Sequence, residues 1–537
     1  MANLENGKAR DVTGGGIGIW LLLLLLIYAA GLTQSLSEPW IGMHDWNGAF
    51  FSQLARNHLR YPMSVHRGMP MVAVGSEVPD VEERSIYATH PPGLVWLVAG
   101  AFAVFGEAES VARMVPIAAS LATLGLLVWL VFCAYGRAVA VLTGFIYGLM
   151  PMSVYFGRMV DHEAVCLLCM IALLAAWVVV LDVRTSKRTQ RAAWCGWAVA
   201  VIFGVWIDWS MVLFAGLFCA YAVWAYCRSQ IGKFHLIVVL GTAALAVVSM
   251  IAFLVYAGLE GRWEDLVSIF LSRAGQSEEG TIHKDTAAPG GVGTYTVENL
   301  SWPVTVLTVV GFLVFSWAGL FRRGASGLSN PTTSHPGQTA KAGLALVLLT
   351  GLIWLVVFWR QYERHNYWLF YLGPVAAVYS ARFLVGLWSW LSTRNRYLAF
   401  MSAGSIVVVT VAFCLDGARD YFDRVSRSYP PELVSDWQAI RGMTSADDRV
   451  LLFRNPVLVE ERGGYRFRNL IPPQLAYYLD RPIDVEEDFA RLGSRRASHA
   501  VFVISKGEVV VHREALGPLR QGLAEKPLRL LVVFDLR

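Results

Sequence analysis

Residues 158–208 read RMVDHEAVCLLCMIALLAAWVVVLDVRTSKRTQRAAWCGWAVAVIFGVWID. Two apolar stretches, about 163–182 and 193–208, flank a loop that carries Arg184, Lys187, Arg188 and Arg191. A helix that crosses a bilayer needs about 20 apolar residues, and both stretches approach that length. Lysine and arginine favour cytoplasmic loops, so the loop is expected inside. The opposite ends, with Arg158, Asp161, His162 and Glu163 on one helix and Asp208 on the other, then fall outside.

Composition extends the membrane reading to the whole chain. Of 537 residues, 55% are hydrophobic and only 16% charged, with mean hydropathy +0.48; soluble domains average roughly 25% charged. Eleven segments have the length and apolarity of spans: about 17–37, 111–134, 138–156, 163–182, 193–208, 209–227, 235–257, 303–321, 342–359, 367–387 and 397–415. The first, with its leucine run Leu21–Leu26, has no small-residue cleavage site and reads as an uncleaved span. Pro91–Phe105 is apolar but short, and charge decides its place. If it does not cross, Lys8, Arg10, Arg137, Arg184–Arg191, Arg228, Lys233, Arg322, Arg323, Lys341, Arg394 and Arg396 all share the amino-terminal, cytoplasmic side. If it crosses, Arg184–Arg191 is forced outside. Pro91–Phe105 is therefore expected as an interfacial helix with proline in its first turn.

The expected architecture is an α-helical polytopic membrane protein in an inner (plasma) membrane, amino terminus inside. Residues 1–415 form the transmembrane domain, with outer loops at about 38–110 and 258–302. Past about 416 the composition turns polar. Strands are expected at Arg449–Phe453, Ala500–Ser505 and Leu528–Phe534, and helices at Pro472–Asp480 and His512–Ala524. Residues 416–537 thus read as a small extracytoplasmic α/β domain. The seven cysteines lie within or at the ends of apolar segments, where they serve as packing residues rather than a disulfide framework. A net charge of +5 spread over short loops gives no reason to invoke nucleic acid.

Ionisable groups at the edge of hydrocarbon are expensive and mark candidate sites. His44-Asp45 follows the first span; a carboxylate shielded there by aromatics and membrane can serve as a general base, or be a solvated loop acid. His90-Pro91-Pro92 opens the interfacial helix, and its backbone N–H groups suit an anion. Arg158, Asp161, His162 and Glu163 crowd one turn, although Asp161 can equally cap the following helix. Asp208-Trp209 breaks a long apolar stretch as a hairpin turn. Arg360, Glu363, Arg364, His365 and Tyr367 meet at another outer boundary, and two arginines there suit phosphate. No nucleotide-binding loop or Asp-x-Asp motif is present.

These pieces together resemble the GT-C superfamily of polyprenyl-phosphate-sugar glycosyltransferases, nearest to bacterial protein O-mannosyltransferases and the lipid A aminoarabinose transferase. The resemblance covers roughly the first 420 residues. It rests on His44-Asp45, His90-Pro91-Pro92, Phe105-Gly106 to Ala112-Arg113, the Arg158/Asp161 turn, Asp208-Trp209 and Tyr367 to Pro374. Family members often carry an Asp-Glu pair where this chain has His44-Asp45, which leaves Asp45 as the evident base and a divalent metal undecided.

The resemblance implies transfer of a hexosyl or pentosyl group from a polyprenyl-phosphate donor to a lipid, glycan or protein hydroxyl, with inversion. It implies Asp45 as catalytic base, with Asp161 and Glu163 in catalytic or orienting roles. His90, Arg158, Arg360, Arg364 and His365 would hold the donor phosphate, and His44, His162, Asp208, Trp209 and Tyr367 would line the substrate site. The rival reading is a secondary transporter or lipid flippase, which needs ionisable groups near mid-bilayer and broken helices.

Overall fold

The computed structural model describes residues 18–42, 44–78, 85–273, 290–322, 336–359, 362, 365–425, 431–446, 448–453, 473–486, 498–505, 524–529 and 531–536. Its helices are α1 (Gly18–Leu32), α2 (Asp45–Arg60), α3 (Met63–His66), α4 (Gly93–Phe105), α5 (Glu109–Tyr135), α6 (Arg137–Leu149), α7 (Pro151–Phe156), α8 (His162–Leu181), α9 (Lys187–Val205), α10 (Trp209–Cys227), α11 (Lys233–Leu259) and α12 (Trp263–Arg273). There follow α13 (Gly290–Leu300), α14 (Trp302–Arg322), α15 (Pro336–Val357), a 3-10 turn (Asn366–Leu372), α16 (Gly373–Ser392), α17 (Arg396–Val425), α18 (Pro431–Met443) and α19 (Pro473–Leu479).

All eleven expected segments fall on helices, but they are not equally spans. Among the described residues, α5, α8, α10, α11, α15, α16 with its preceding 3-10 turn, and α17 are long and apolar enough to cross a membrane. The others depart for local reasons. α1 and α6 have 15 and 13 residues, and Pro151 starts a new helix where α6 stops. α9 opens on Lys187, Arg188 and Arg191, which lower its hydropathy. Cations there oppose the helix dipole, so they do not add to helix stability. α13 and α14 meet at 103° across Ser301, whose φ of 71° breaks the helical path. α4, at 13 residues, is too short to span, as the sequence predicts for this segment.

α8 is apolar on all sides and is the most buried of these helices, as a central element must be. α11 and α17 lie at the periphery and expose Ile237, Val248, Phe400 and Val408. Cys166, Cys169 and Cys414 are buried in the bundle, while Cys195 and Cys227 are exposed, and no two cysteines among the described residues are bonded.

The carboxy-terminal region holds a five-stranded sheet in the order β4-β3-β5-β7-β6. Its strands are β3 (Val450–Phe453), β4 (Ile483–Glu486), β5 (Val501–Ser505), β6 (Glu525–Pro527) and β7 (Leu531–Asp535), after a two-residue pair β1 (Met71–Val72) and β2 (Ser85–Ile86) in the first loop. β4, β3 and β5 run parallel, and β7 pairs antiparallel with β5 and β6. Three strands and α19 fall where the sequence predicts them; β4 and β6 are additional. The predicted helix His512–Ala524 lies almost wholly outside the described residues. α17 runs on through position 416, where the composition changes.

The sheet region grips α2. Asp480 takes two hydrogen bonds from Arg60 at 2.6 and 3.0 Å, and Arg56 and Arg441 lie within 3.5 Å. Arg56 also donates to the Tyr477 carbonyl at 2.9 Å. The Tyr478 hydroxyl accepts from the Trp40 amide at 2.7 Å and donates to Glu109 at 2.8 Å.

Candidate active site

Asp45 is the first residue of α2, and its carboxylate turns back to accept the Gly42 amide at 2.9 Å. The expected aromatic surroundings are present in Trp40 and Tyr155, but a guanidinium joins them. Arg113, from the first turns of α5, places Nη2 3.5 Å from Asp45. It is itself fixed: Nη1 donates to the carbonyls of Leu36 and Glu38, and its guanidinium lies 4.1 Å above the Trp40 ring. Trp40 in turn packs so closely on α2 that a Cβ at Gly48 would stand 2.3 Å from the ring.

Arg158 reaches the same place from the turn between α7 and α8. Its Nη2 donates to the Ser35 carbonyl at 2.9 Å, and its guanidinium faces the Phe422 ring at 5.2 Å. Nη1 is buried and has no hydrogen-bond partner among the described residues. Burial, and then the like charge of Arg113, pull its pKa down to about 10, which still leaves it charged at neutral pH. Glu38, Asp45, Arg113, Tyr155 and Arg158 line one small cavity.

A second polar array begins one step along α2. Asn47 donates to Asp161 at 2.5 Å. Asp161 caps α8 by accepting the His162 amide, and holds the His162 ring at Nδ1, both at 2.8 Å. The capping alternative is thus realised, and with it a contact to α2. The His162 ring stacks on His90 at 4.4 Å, and His90 Nδ1 lies 3.0 Å from Asp208. Asp208 caps α10 and accepts the Ser210 hydroxyl at 2.6 Å; the Tyr371 hydroxyl stands 2.8 Å from that of Ser210. Glu163 is buried in the first turn of α8.

Two backbone contacts fasten the His90 turn to the α9–α10 hairpin. The Trp209 indole donates to the Thr89 carbonyl at 2.8 Å, and the Gly93 amide donates to the Trp206 carbonyl at 2.8 Å. A Cβ at Gly93 would sit 2.5 Å from that carbonyl oxygen, so glycine is required for the approach.

The sequence-derived candidates therefore divide. Asp45 and Arg158 share the cavity; Asp161, His162, His90 and Asp208 form the adjoining array. His44 is walled by the rings of Phe156, Tyr367 and Tyr155 at 5.3–6.0 Å. Burial pushes its pKa down to about 4, against the pull of Asp45 and Asp161, so it is a neutral wall at neutral pH. His365 Nδ1 lies 2.5 Å from the Tyr367 hydroxyl and its ring stacks on Trp368 at 4.5 Å. Arg360, Glu363 and Arg364 lie outside the described residues.

Arg113 and Asn47 carry no separate signal in the sequence. Arg113 belongs to the Ala-Arg step of the resemblance, without a role attached, and Asn47 is three residues beyond His44. Among the described residues, no group of three or more His, Cys, Asp and Glu side chains is arranged to hold a metal ion.

Residues 89–253 match the family model described as dolichyl-phosphate-mannose-protein mannosyltransferase. That stretch contains His90, Arg158, Asp161, Glu163 and Asp208, but not Asp45. No curated protein matches the sequence. Among solved structures, ArnT from Cupriavidus metallidurans bound to undecaprenyl phosphate aligns over 98% of both chains with a TM-score of 0.57 and 12% identity. The archaeal oligosaccharyltransferase AglB from Archaeoglobus fulgidus, in complex with an inhibitory peptide and a dolichol-phosphate, aligns over 93% of this chain and 70% of its own. Its TM-score is 0.53 and its identity 12%. Identity this low speaks for architecture, and the architecture agrees along nearly the whole length: this chain is a multi-pass membrane protein with the GT-C fold.

Proposed function

We propose that the protein is a membrane glycosyltransferase that moves a sugar from a polyprenyl-phosphate donor to an acceptor hydroxyl, with inversion at C1. The observation that carries this reading is Arg158, a buried guanidinium with an unpartnered Nη1 in a cavity shared with the Asp45 carboxylate. A buried cation with an open donor suits a phosphate, and a carboxylate beside it suits proton removal. The matched mannosyltransferase region, and the lipid phosphates bound to both structural neighbours, support the same class.

In the reaction, the acceptor oxygen attacks C1 from the face opposite the phosphate. The new O–C1 bond forms as the C1–phosphate oxygen bond breaks, and the polyprenyl phosphate departs with the electron pair. Asp45 takes the hydroxyl proton. Arg158 stabilises the charge that develops on the departing phosphate, joined by Arg360, Arg364 and His365. Arg113 keeps Asp45 oriented. Asp161 and Glu163 orient sugar or acceptor, and Asp161 does so while holding Asn47 and His162. His90, with His162 and Asp208, forms the wall of the donor site. Positive charge comes from arginines, and no step is assigned to a metal.

The transport reading would string ionisable groups across mid-bilayer; those gathered here stand at the starts of α2, α8 and α10. By the distribution of basic loops, the site opens to the extracytoplasmic side, with residues 1–415 as the catalytic membrane domain and 416–537 as the outer domain. The test is Asp45→Asn in proteoliposomes that contain a polyprenyl-phosphate sugar. Turnover should fall roughly 10²–10⁴-fold with donor binding unchanged. Transfer at the wild-type rate would remove Asp45 from the reaction.

A further inference from the structure

Three buried polar side chains that the proposed reaction does not use are bonded to one another. Asn299 is the penultimate residue of α13, Asn366 opens the 3-10 turn, and Tyr421 stands in the last turns of α17. All three are at most 5% exposed. Asn299 engages the others with both ends of its amide: Nδ2 donates to the Asn366 carbonyl at 2.9 Å, and Oδ1 accepts the Tyr421 hydroxyl at 2.9 Å. Asn366 Nδ2 donates to the Tyr421 oxygen at 2.8 Å. The Tyr421 hydroxyl thus gives one hydrogen bond and receives another, and it cannot move away without breaking both. Two turns earlier on α17, Cys414 Sγ lies 3.3 Å from Ser301 Oγ, at the bend that follows α13.

The ring that these bonds hold faces the candidate site. It packs on Tyr155 and Phe156 of α7, with centroids 5.0 and 5.5 Å away, just ahead of Arg158 in the chain. The next residue on α17, Phe422, presents its ring to the Arg158 guanidinium at 5.2 Å and to Tyr155 at 5.4 Å. Tyr155, Arg158 and Phe422 all line the Asp45 cavity, whereas Asn299, Asn366 and Tyr421 lie outside its lining. The Ser35 carbonyl tethers Arg158 at Nη2, which fixes one corner of the guanidinium and leaves its tilt to the Phe422 face.

We propose that Tyr421 is a positioning residue for Arg158. Held by Asn299 and Asn366, it fixes the Phe422 ring that the guanidinium faces and the Tyr155–Phe156 step that leads into it, and so sets the direction of the open Nη1. A contact to phosphate depends on that direction, because a guanidinium donates only in its plane. Through Asn299 and Asn366, the end of α13 and the start of the 3-10 turn act on the phosphate position without entering it. The proposal rests on the reading of Arg158 as the donor-phosphate cation and adds the residues that aim it.

The experiment titrates the full-length protein in neutral detergent with undecaprenyl phosphate carrying a fluorophore, and with undecaprenol carrying the same fluorophore. Tyr421→Phe keeps the ring and removes only the hydroxyl. It should bind the phosphate about fivefold more weakly, the factor that one hydrogen bond of typical net strength supplies, with the affinity for undecaprenol unchanged. Asn299→Ala, outside the cavity lining, should reproduce that selective loss. Tyr397→Phe, the same change at an exposed tyrosine near the start of α17, should bind both lipids as the wild type does. In an Arg158→Ala background, Tyr421→Phe should have no further effect, because it acts through the guanidinium. Wild-type phosphate affinity in Tyr421→Phe, an equal loss for both lipids, or a loss that adds to that of Arg158→Ala would each overturn the proposal. Unchanged phosphate affinity in Arg158→Ala would sink the phosphate reading of Arg158 and the proposal with it. A loss confined to Arg158→Ala would leave that reading standing and remove Tyr421 alone.

Discussion

Replacing Tyr478 by Phe should weaken a site that this residue never touches. Its hydroxyl is buried and holds two elements at once, the Trp40 amide at 2.7 Å and Glu109 in the first turn of α5 at 2.8 Å. Burial, and then the Glu109 charge, raise the phenol far above its ordinary pKa, so it stays protonated and donates. Trp40 supports Arg113 from below and Gly48 from the side, and α5 carries Arg113 itself. The substitution removes one oxygen and leaves the Trp40 amide buried without its acceptor, a loss of about 1–3 kcal/mol. If half of this, about 0.5–1.5 kcal/mol, reaches the Asp45–Arg113 geometry, the rate falls roughly two- to tenfold, since 1.4 kcal/mol is one decade.

Turnover and donor affinity should be measured in proteoliposomes for Tyr478→Phe, Trp40→Phe and the double variant. Because both act through one ring, their effects on kcat should be less than additive, with the donor KM nearly unchanged. Full additivity, or a wild-type kcat in Tyr478→Phe, would refute the linkage.

Arg158→Ala should weaken binding of the polyprenyl phosphate by about 1.5–3 kcal/mol, the range for a hydrogen bond to a charged group. Arg158→Lys should recover only part of it; titration with fluorescent lipid phosphate reads both, and unchanged affinity in Arg158→Ala would assign the arginine to structure alone. Asp480 gives a pH signature. Burial alone would raise its carboxyl, but the Arg60 hydrogen bond and the charges of Arg56, Arg60 and Arg441 hold it below the usual range. Its contribution to stability is therefore complete above the unfolded-state value of about 3.9 and is lost as pH falls through the lower folded-state value. Asp480→Asn should be less stable at neutral pH and lack that acid-side component in unfolding scans. An identical acid slope in both proteins would count against the clamp.

The membrane bundle was legible because its signals are local. The apolar run Ala164–Leu181 gives helix and length from the residues themselves. What escaped was the manner in which some segments cross. The 103° bend at Ser301 depends on one residue's φ, and the break before Pro151 splits a stretch that reads as continuous. In the carboxy-terminal sheet, the strands with hydrophobic runs were readable. Ile483–Glu486 and the exposed Glu525–Pro527 were not, because pairing with β3 and β7 defines them more than composition does.

The site was legible to the same extent. Asp45, Arg158, Asp161 and Asp208 announced themselves as charges beside hydrocarbon, since burying them requires a reason. Their partners were harder, because a partner is chosen by tertiary geometry. Arg113 meets Asp45 across 68 residues, and His90 meets Asp208 across 118. The pairing also revises what single residues suggest. His90 alone looks like a phosphate ligand at a helix start. With Nδ1 directed at Asp208 and its face on His162, it belongs first to the wall that joins three helix starts. Asn47, two residues from Asp45, is bonded to that wall through Asp161. Asp45, the proposed base, and Asn47, which holds the wall, thus sit on the same turn of α2, so a shift of α2 must move both together. That coupling is why the grip of Asp480 and Tyr478 on α2 and Trp40 should be felt in turnover and not in stability alone.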